Sequence, residues 1–154
     1  METEVLRALA AHRRVIRTNW ETFLRLERVS SPLANPDLLV HRLEPTLDEI
    51  FTDLLLWSSR AHPKAYVPLC PCGLNPWLAY LSAGRQAFRE ALVEVQAGLP
   101  DLSPAARDES LACLEQVMDH LARREIEAFC ALCQSRPKDR APGPPDSHAL
   151  PTHP

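Results

Sequence analysis

Apolar residues recur along this chain at spacings of three and four, the repeat of a helix with one buried face. Four stretches show it. The first, about Glu4 to Val29, carries Val5, Leu9, Ile16, Trp20 and Phe23, with Thr3 placed to cap it. The second, Pro36 to about Ser59, carries Leu39, Leu43, Leu47, Ile50, Leu54 and Trp57. Pro45 lies inside it, where a proline removes a backbone hydrogen bond and crowds the preceding turn. Thr46 and Glu49 then read as a fresh capping box, so one bent element is expected. The third, Pro76 to Ala97, turns Trp77, Leu81, Phe88, Leu92 and Val95 inward and stops at Gly98. Its Gly84 falls on the same face, where a missing side chain suits the close approach of a neighbour.

The fourth stretch opens at Pro104 and meets no breaker before Pro137, so at 1.5 Å per residue it would be roughly 48 Å long. Leu111, Leu114, Met118, Leu121, Glu125, Phe129 and Cys133 trace its stripe, and Asp119 with Arg123 and Arg123 with Glu127 support its wet face. Asn35-Pro36, Asn75-Pro76 and Ser103-Pro104 each set a capping side chain before a proline, the signature of a helix start. No alternating strand pattern competes. The expected fold is all-α, an antiparallel up-down-up-down four-helix bundle over residues 1–136. A long loop separates its second and third helices, and a disordered proline-rich tail occupies 137–154.

A chain of 154 residues with 45% apolar types supplies one core and little more. Its 17 Lys and Arg against 20 Asp and Glu leave a formal charge of -3, without the basic excess that nucleic acid requires, so no nucleic-acid partner is expected. Four glycines form neither GxxxxGK[ST] nor GxGxxG, and no HExxH or serine nucleophile elbow occurs. The start METEVLRALAAHRRVIRTNW is not a secretory signal, and the short apolar run Leu54 to Trp57 is far below the ~20 residues that span a bilayer. A cytoplasmic protein without membrane association is the expectation, and its thiols then read as ligands, redox groups or core residues before structural disulfides.

Five cysteines carry the remaining chemistry. The connection RAHPKAYVPLCPCGLN, Arg60 to Asn75, is about three times the usual helix-to-helix length. It holds Cys70 and Cys72, while the last turn of the fourth helix holds Cys130 and Cys133. In an up-down-up-down bundle the start of the third helix and the end of the fourth share one end, so the two pairs converge. Four thiolates suit tetrahedral zinc at about 2.3 Å, and a closed four-cysteine site is structural because no coordination position is left for a substrate. The same topology brings the end of the second helix and the start of the first to that end, making His62 and His12 alternative ligands. Cys72 also precedes a helix N-terminus, where the dipole favours thiolate, so thiol–disulfide redox chemistry or redox sensing is the second reading. A plain bundle that binds a partner protein is the third. Haem or an iron–sulfur cluster stays open as a cofactor, whereas the Glu-x-x-His motif of di-iron bundles is absent.

The other candidates read as packing or as solvated charge. Cys113 stands alone in the middle of the fourth helix and suits the core. His12, His41 and His120 read as isolated helical histidines, and His148 and His153 fall in the tail. Trp20, Trp57, Trp77, Phe23 and Phe88 sit at core spacing. Arg13, Arg14 and Arg17, and likewise Asp48, Glu49 and Asp53, read as solvent-facing, and no catalytic set emerges.

The first sixty residues, through Ile16, Trp20 and the leucine-rich second helix, resemble the helical N-terminal sensory modules of bacterial stress-signalling co-antagonists. The segments CPCGLNP, Cys70 to Pro76, and REIEAFCALCQ, Arg124 to Gln134, resemble bacterial helical proteins for which no activity is implied. The sensory modules do not share the cysteine block as a family signature, so the resemblance implies no catalytic residue. The expectation is a non-enzymatic, zinc-binding regulatory or interaction module.

Overall fold

The computed structural model describes residues 1–27, 32–56, 70 and 73–134, and among them every regular element is helical. The first apolar stretch forms α1 (Thr3–Ala11) and α2 (Arg13–Leu26), divided at His12. Thr3 is the first residue of α1 rather than its cap. The division has a local cause. The His12 ring donates from Nδ1 to the Ala8 carbonyl at 2.9 Å, an oxygen that also receives the His12 backbone N–H at 3.2 Å. Beyond it Ile16 N–H bonds His12 O, so the chain continues in nearly the same direction.

The second stretch divides as well, but ahead of the expected position. A short α3 (Pro36–Leu39) passes through a 3₁₀ turn at Val40–Arg42 into α4 (Leu43–Leu56). Pro45 therefore falls in the first turn of α4, where its missing N–H would have no partner anyway. The capping-box reading of Thr46 and Glu49 gives way to different bonds. Thr46 Oγ1 donates back to Arg42 O at 2.7 Å, and the Glu49 carboxylate pairs with Arg124.

The third and fourth stretches fold as α5 (Pro76–Ala97) and α6 (Pro104–Gln134). The capping asparagines and serine perform as their sequence implies. Asn35 accepts the N–H of Asp37, Asn75 that of Trp77, and Ser103 Oγ that of Ala106. Gly98 closes α5 at φ -76, so the stop does not use the left-handed conformation. In α6 the buried side is Ala106, Ser110, Cys113, Leu114, Val117, Met118, Leu121, Ala122 and Ile126. The expected stripe drifts off it at both ends, with Leu111 exposed and Phe129 and Cys133 half-buried.

Cross-helix contacts fix the directions. Arg13 reaches Asp48 and Arg17 reaches Glu44, so α2 and α4 run antiparallel. Asn75 meets Ile126, Arg85 meets Glu115 and Asp119, and Gln96 meets the Arg107 carbonyl, so α5 and α6 run antiparallel too. Tyr80, however, meets Thr46, and Phe88 meets Phe51, so α4 and α5 run in the same sense. The Met1 amino group lies beside Glu109 near the start of α6. The up-down-up-down order is thereby corrected between its second and third helices. The end of α4 and the start of α5 therefore lie at opposite ends of the packing. That supplies a topological reason for a connection of such length, since helices that run in the same sense cannot be joined by a short turn.

The core is aromatic at its centre. Trp20, Tyr80 and Phe88 are fully buried, with ring centroids 4.9 Å apart for Trp20 and Tyr80 and 6.2 Å for Trp20 and Phe88. Trp20 Nε1 donates to Tyr80 O at 2.8 Å, which settles the one polar atom of the indole. Gly84 lies directly under this ring, the close approach its position implied.

Candidate functional site

The start of α5 and the end of α6 meet through Asn75. This side chain is 5% exposed. Its Oδ1 caps α5 by accepting the Trp77 N–H at 3.0 Å. Its Nδ2 donates to Ile126 O at 3.3 Å and approaches Cys130 Sγ at 3.8 Å. A residue whose spacing identified it only as a cap thus also ties two helices together.

Just upstream, Gly73 N–H donates to Cys70 O at 3.2 Å, the i to i+3 link of a tight turn. Gly73 adopts φ +65, a conformation that only glycine takes without strain, although a Cβ there would meet nothing within 4 Å. The turn aims Cys70 at α6. Cys130 Sγ lies 3.1 Å from Cys70 Sγ, joining residues sixty positions apart in the chain. That separation exceeds a disulfide bond of about 2.05 Å. It is shorter than the edge of about 3.8 Å that tetrahedral zinc imposes on two thiolates bound at about 2.3 Å.

Cys70, Cys130 and Cys133 are all half-buried, with Cys133 one turn beyond Cys130 on α6. Cys72 and His62 lie outside the described residues. Among the described residues no group of three or more His, Cys, Asp or Glu is placed to hold a metal ion. Among the described residues, Cys70 meets Cys130, one member of each sequence-based cysteine pair.

His12 is not brought to this end. Its neighbour Arg13 stacks over Phe51 at 5.9 Å, and Phe51 packs on Phe88, thirteen positions along α5 from Asn75, about 20 Å by helical rise. The physical reason is the direction of the helices. Because α4 runs with α5 and not against it, α1 starts at the end opposite the cysteines. Cys113 is 5% exposed in the core, where burial pushes its thiol up, and His41 and His120 are exposed. Trp57, Val67, Leu69, His148, His153 and the proline-rich segment 137–154 lie outside the described residues.

Two features escaped the periodicity. Tyr80 is fully buried, and its hydroxyl donates to Thr46 Oγ1 at 3.0 Å. Burial pushes its pKa up to about 12, with the Thr46 bond opposing. The signal was present as Tyr80 at i+4 to Pro76 and i−4 to Gly84, one position from the stripe residue Leu81. Of the charges expected to face solvent, Arg13, Arg17, Asp48 and Glu49 make interhelical pairs. Arg13 pairs with Glu44 and Asp48, Arg85 with Glu115 and Asp119, and Arg124 with Glu49. A shallow cleft between α2 and α5 is lined by Phe23, Leu26, Glu27, Arg85, Gln86 and Arg89, and both arginines are committed to α6 carboxylates. Among the described residues no helix is long and apolar enough to cross a membrane.

No protein-family model, curated protein or solved structure matches this chain.

Proposed function

We propose that the chain is a one-crossover four-helix bundle that binds zinc through Cys70, Cys72, Cys130 and Cys133 and serves as a regulatory or interaction module rather than an enzyme. The observation that carries the reading is the 3.1 Å contact between Cys70 and Cys130. Two sulfurs from segments sixty positions apart meet where the chain has a second cysteine two positions from one and three positions from the other. Cys72 immediately precedes Gly73 in the sequence. Four soft donors of this kind match tetrahedral zinc, and relaxing the Cys70–Cys130 pair to a zinc edge needs a separation of about 0.7 Å. Asn75 supplies the outer support that such sites use, an N–H toward a ligating sulfur from a side chain fixed by other bonds.

The metal in this reading ties the crossover 57–75 to the last turns of α6. A closed shell of thiolates holds no open position for a substrate, which favours regulation or partner binding over catalysis. The test is metal content by mass spectrometry on untagged protein purified under reducing conditions, beside Cys70→Ser and Cys130→Ser. About one zinc per chain, lost in both variants, is expected. Wild-type protein without stoichiometric metal overturns the reading.

A further inference from the structure

Spacing alone pairs each cysteine with its neighbour in the chain, Cys70 with Cys72 and Cys130 with Cys133. The fold brings a different pair together. Cys130 Sγ lies 3.1 Å from Cys70 Sγ, across sixty positions of sequence. Each sulfur is held by its own surroundings. The bond from Gly73 N–H to Cys70 O closes a turn at positive φ just ahead of the Asn75 cap of α5. Cys130 sits in the continuous helix α6, and Asn75 Nδ2, bonded to Ile126 O one turn earlier, lies 3.8 Å from its sulfur. Closing this pair to a disulfide of about 2.05 Å takes about 1 Å of side-chain motion. Both cysteines are half-buried, within reach of a small reagent, whereas Cys113 is buried.

We propose that Cys70 and Cys130 form a disulfide that fastens the turn ahead of α5 to the end of α6, with a low-molecular-weight disulfide, oxidised glutathione, as the oxidant. The inference concerns the chain free of metal and does not rest on the zinc reading. The chemistry is two successive exchanges. One cysteine sulfur gives up its proton and attacks a sulfur of oxidised glutathione. A mixed disulfide forms, the small S–S bond breaks, and one glutathione thiolate leaves. The other cysteine sulfur gives up its proton and attacks the protein sulfur of the mixed disulfide. The protein S–S bond forms, the mixed S–S bond breaks, and the second glutathione thiolate leaves. The two departing thiolates take up the two protons. Two protein thiols are thereby oxidised and one glutathione disulfide is reduced to two glutathiones. The bond closes a loop of sixty positions that contains all of α5. By chain entropy, a loop of that length lowers the unfolding equilibrium constant by up to about a thousandfold.

The experiment takes the full chain, freed of metal by a chelator and fully reduced, through glutathione buffers of rising oxidised fraction. Remaining thiols are blocked with N-ethylmaleimide, and non-reducing peptide mapping with fragment sequencing locates the disulfides. The Cys72→Ser/Cys133→Ser protein, which retains the contact pair, is mapped in parallel. The expected result is an intramolecular Cys70–Cys130 bond as the main product in both proteins, with circular dichroism unchanged. The oxidised chain should also unfold at a higher urea midpoint, a gain that dithiothreitol abolishes. Disulfides confined to Cys70–Cys72 or Cys130–Cys133, or thiols that stay reduced in fully oxidised glutathione, overturn the inference. So does an oxidised chain that unfolds at the same or lower urea. Metal content measured before chelation tests the zinc reading separately, so either can fail without the other.

Discussion

Substituting Gly84 by alanine should destabilise the chain by roughly 2–4 kcal/mol, although alanine is the better helix former by about 1 kcal/mol. A Cβ at position 84 would fall 2.4, 2.5 and 2.8 Å from Cζ2, Cε2 and Cη2 of Trp20. Carbon atoms in contact prefer about 3.5–4.0 Å, so the indole must retreat by about 1 Å. It has nowhere cheap to go, because the ring is fully buried between Tyr80 and Phe88. Overpacking of this kind costs about 1–3 kcal/mol. Retreat also stretches the 2.8 Å bond from Trp20 Nε1 to Tyr80 O, and a buried donor left unmatched costs a further 1–3 kcal/mol or about that. Urea unfolding followed by circular dichroism and tryptophan fluorescence reads the change as a lower midpoint at unchanged slope. The reasoning has an internal control. In a Trp20→Leu background the same Gly84→Ala change should be neutral or stabilising by up to about 1 kcal/mol, giving a coupling of more than about 1 kcal/mol in the double-mutant cycle. Equal cost in both backgrounds would refute the close-approach argument.

Three further predictions follow from the same contacts. Asn75→Ser keeps a capping oxygen but removes both amide donors, so α5 should persist while zinc affinity falls about 10–100-fold, measured by chelator competition; Asn75→Ala should in addition lose about 1–2 kcal/mol of stability in urea. Tyr80, with its folded pKa pushed up to about 12 against an unfolded value near 10, binds its proton more tightly when folded. Stability should therefore hold below about pH 10 and fall as pH rises toward 12, and Tyr80→Phe should flatten that decline when melting is followed across the range. Burial pushes the Cys113 thiol up, so in zinc-free protein its alkylation by iodoacetamide should be roughly tenfold slower or more than that of Cys70 or Cys130, read by peptide mass mapping; equal rates would contradict the placement.

What could be read from the chain was governed by how local the determining interaction is. Asn35, Asn75 and Ser103 each bond a backbone N–H two or three residues away, so a dipeptide was enough to locate three helix starts. Gly84 carried a long-range message in local form, since an absent side chain on a core face has few other uses. The convergence of Cys70 with Cys130 followed from the antiparallel pairing of α5 and α6 alone, which the short turn between them enforces. The order of the earlier helices was not available in this way. Residues 57–75 can either return along a neighbour or cross the packing, and only Thr46 against Tyr80 and Phe51 against Phe88 decide between them. The placement of His12 failed for that reason. As an interior proline Pro45 implies a bend at its own position, whereas the restart after Val40–Arg42 makes it a first-turn residue of α4. Tyr80 does not stand out as core in the sequence because its polar tip needs a partner, and Thr46 lies thirty-four positions away in the chain.

The central claim is that Cys70, Cys72, Cys130 and Cys133 share one zinc ion, and X-ray absorption at the zinc edge of the purified full chain tests it most directly. The account predicts a shell of four sulfurs at about 2.3 Å with no nitrogen or oxygen neighbour, and one sulfur fewer in any cysteine variant that retains metal. A shell of nitrogen or oxygen at about 2.0 Å, or a chain that carries no zinc to examine, would contradict it.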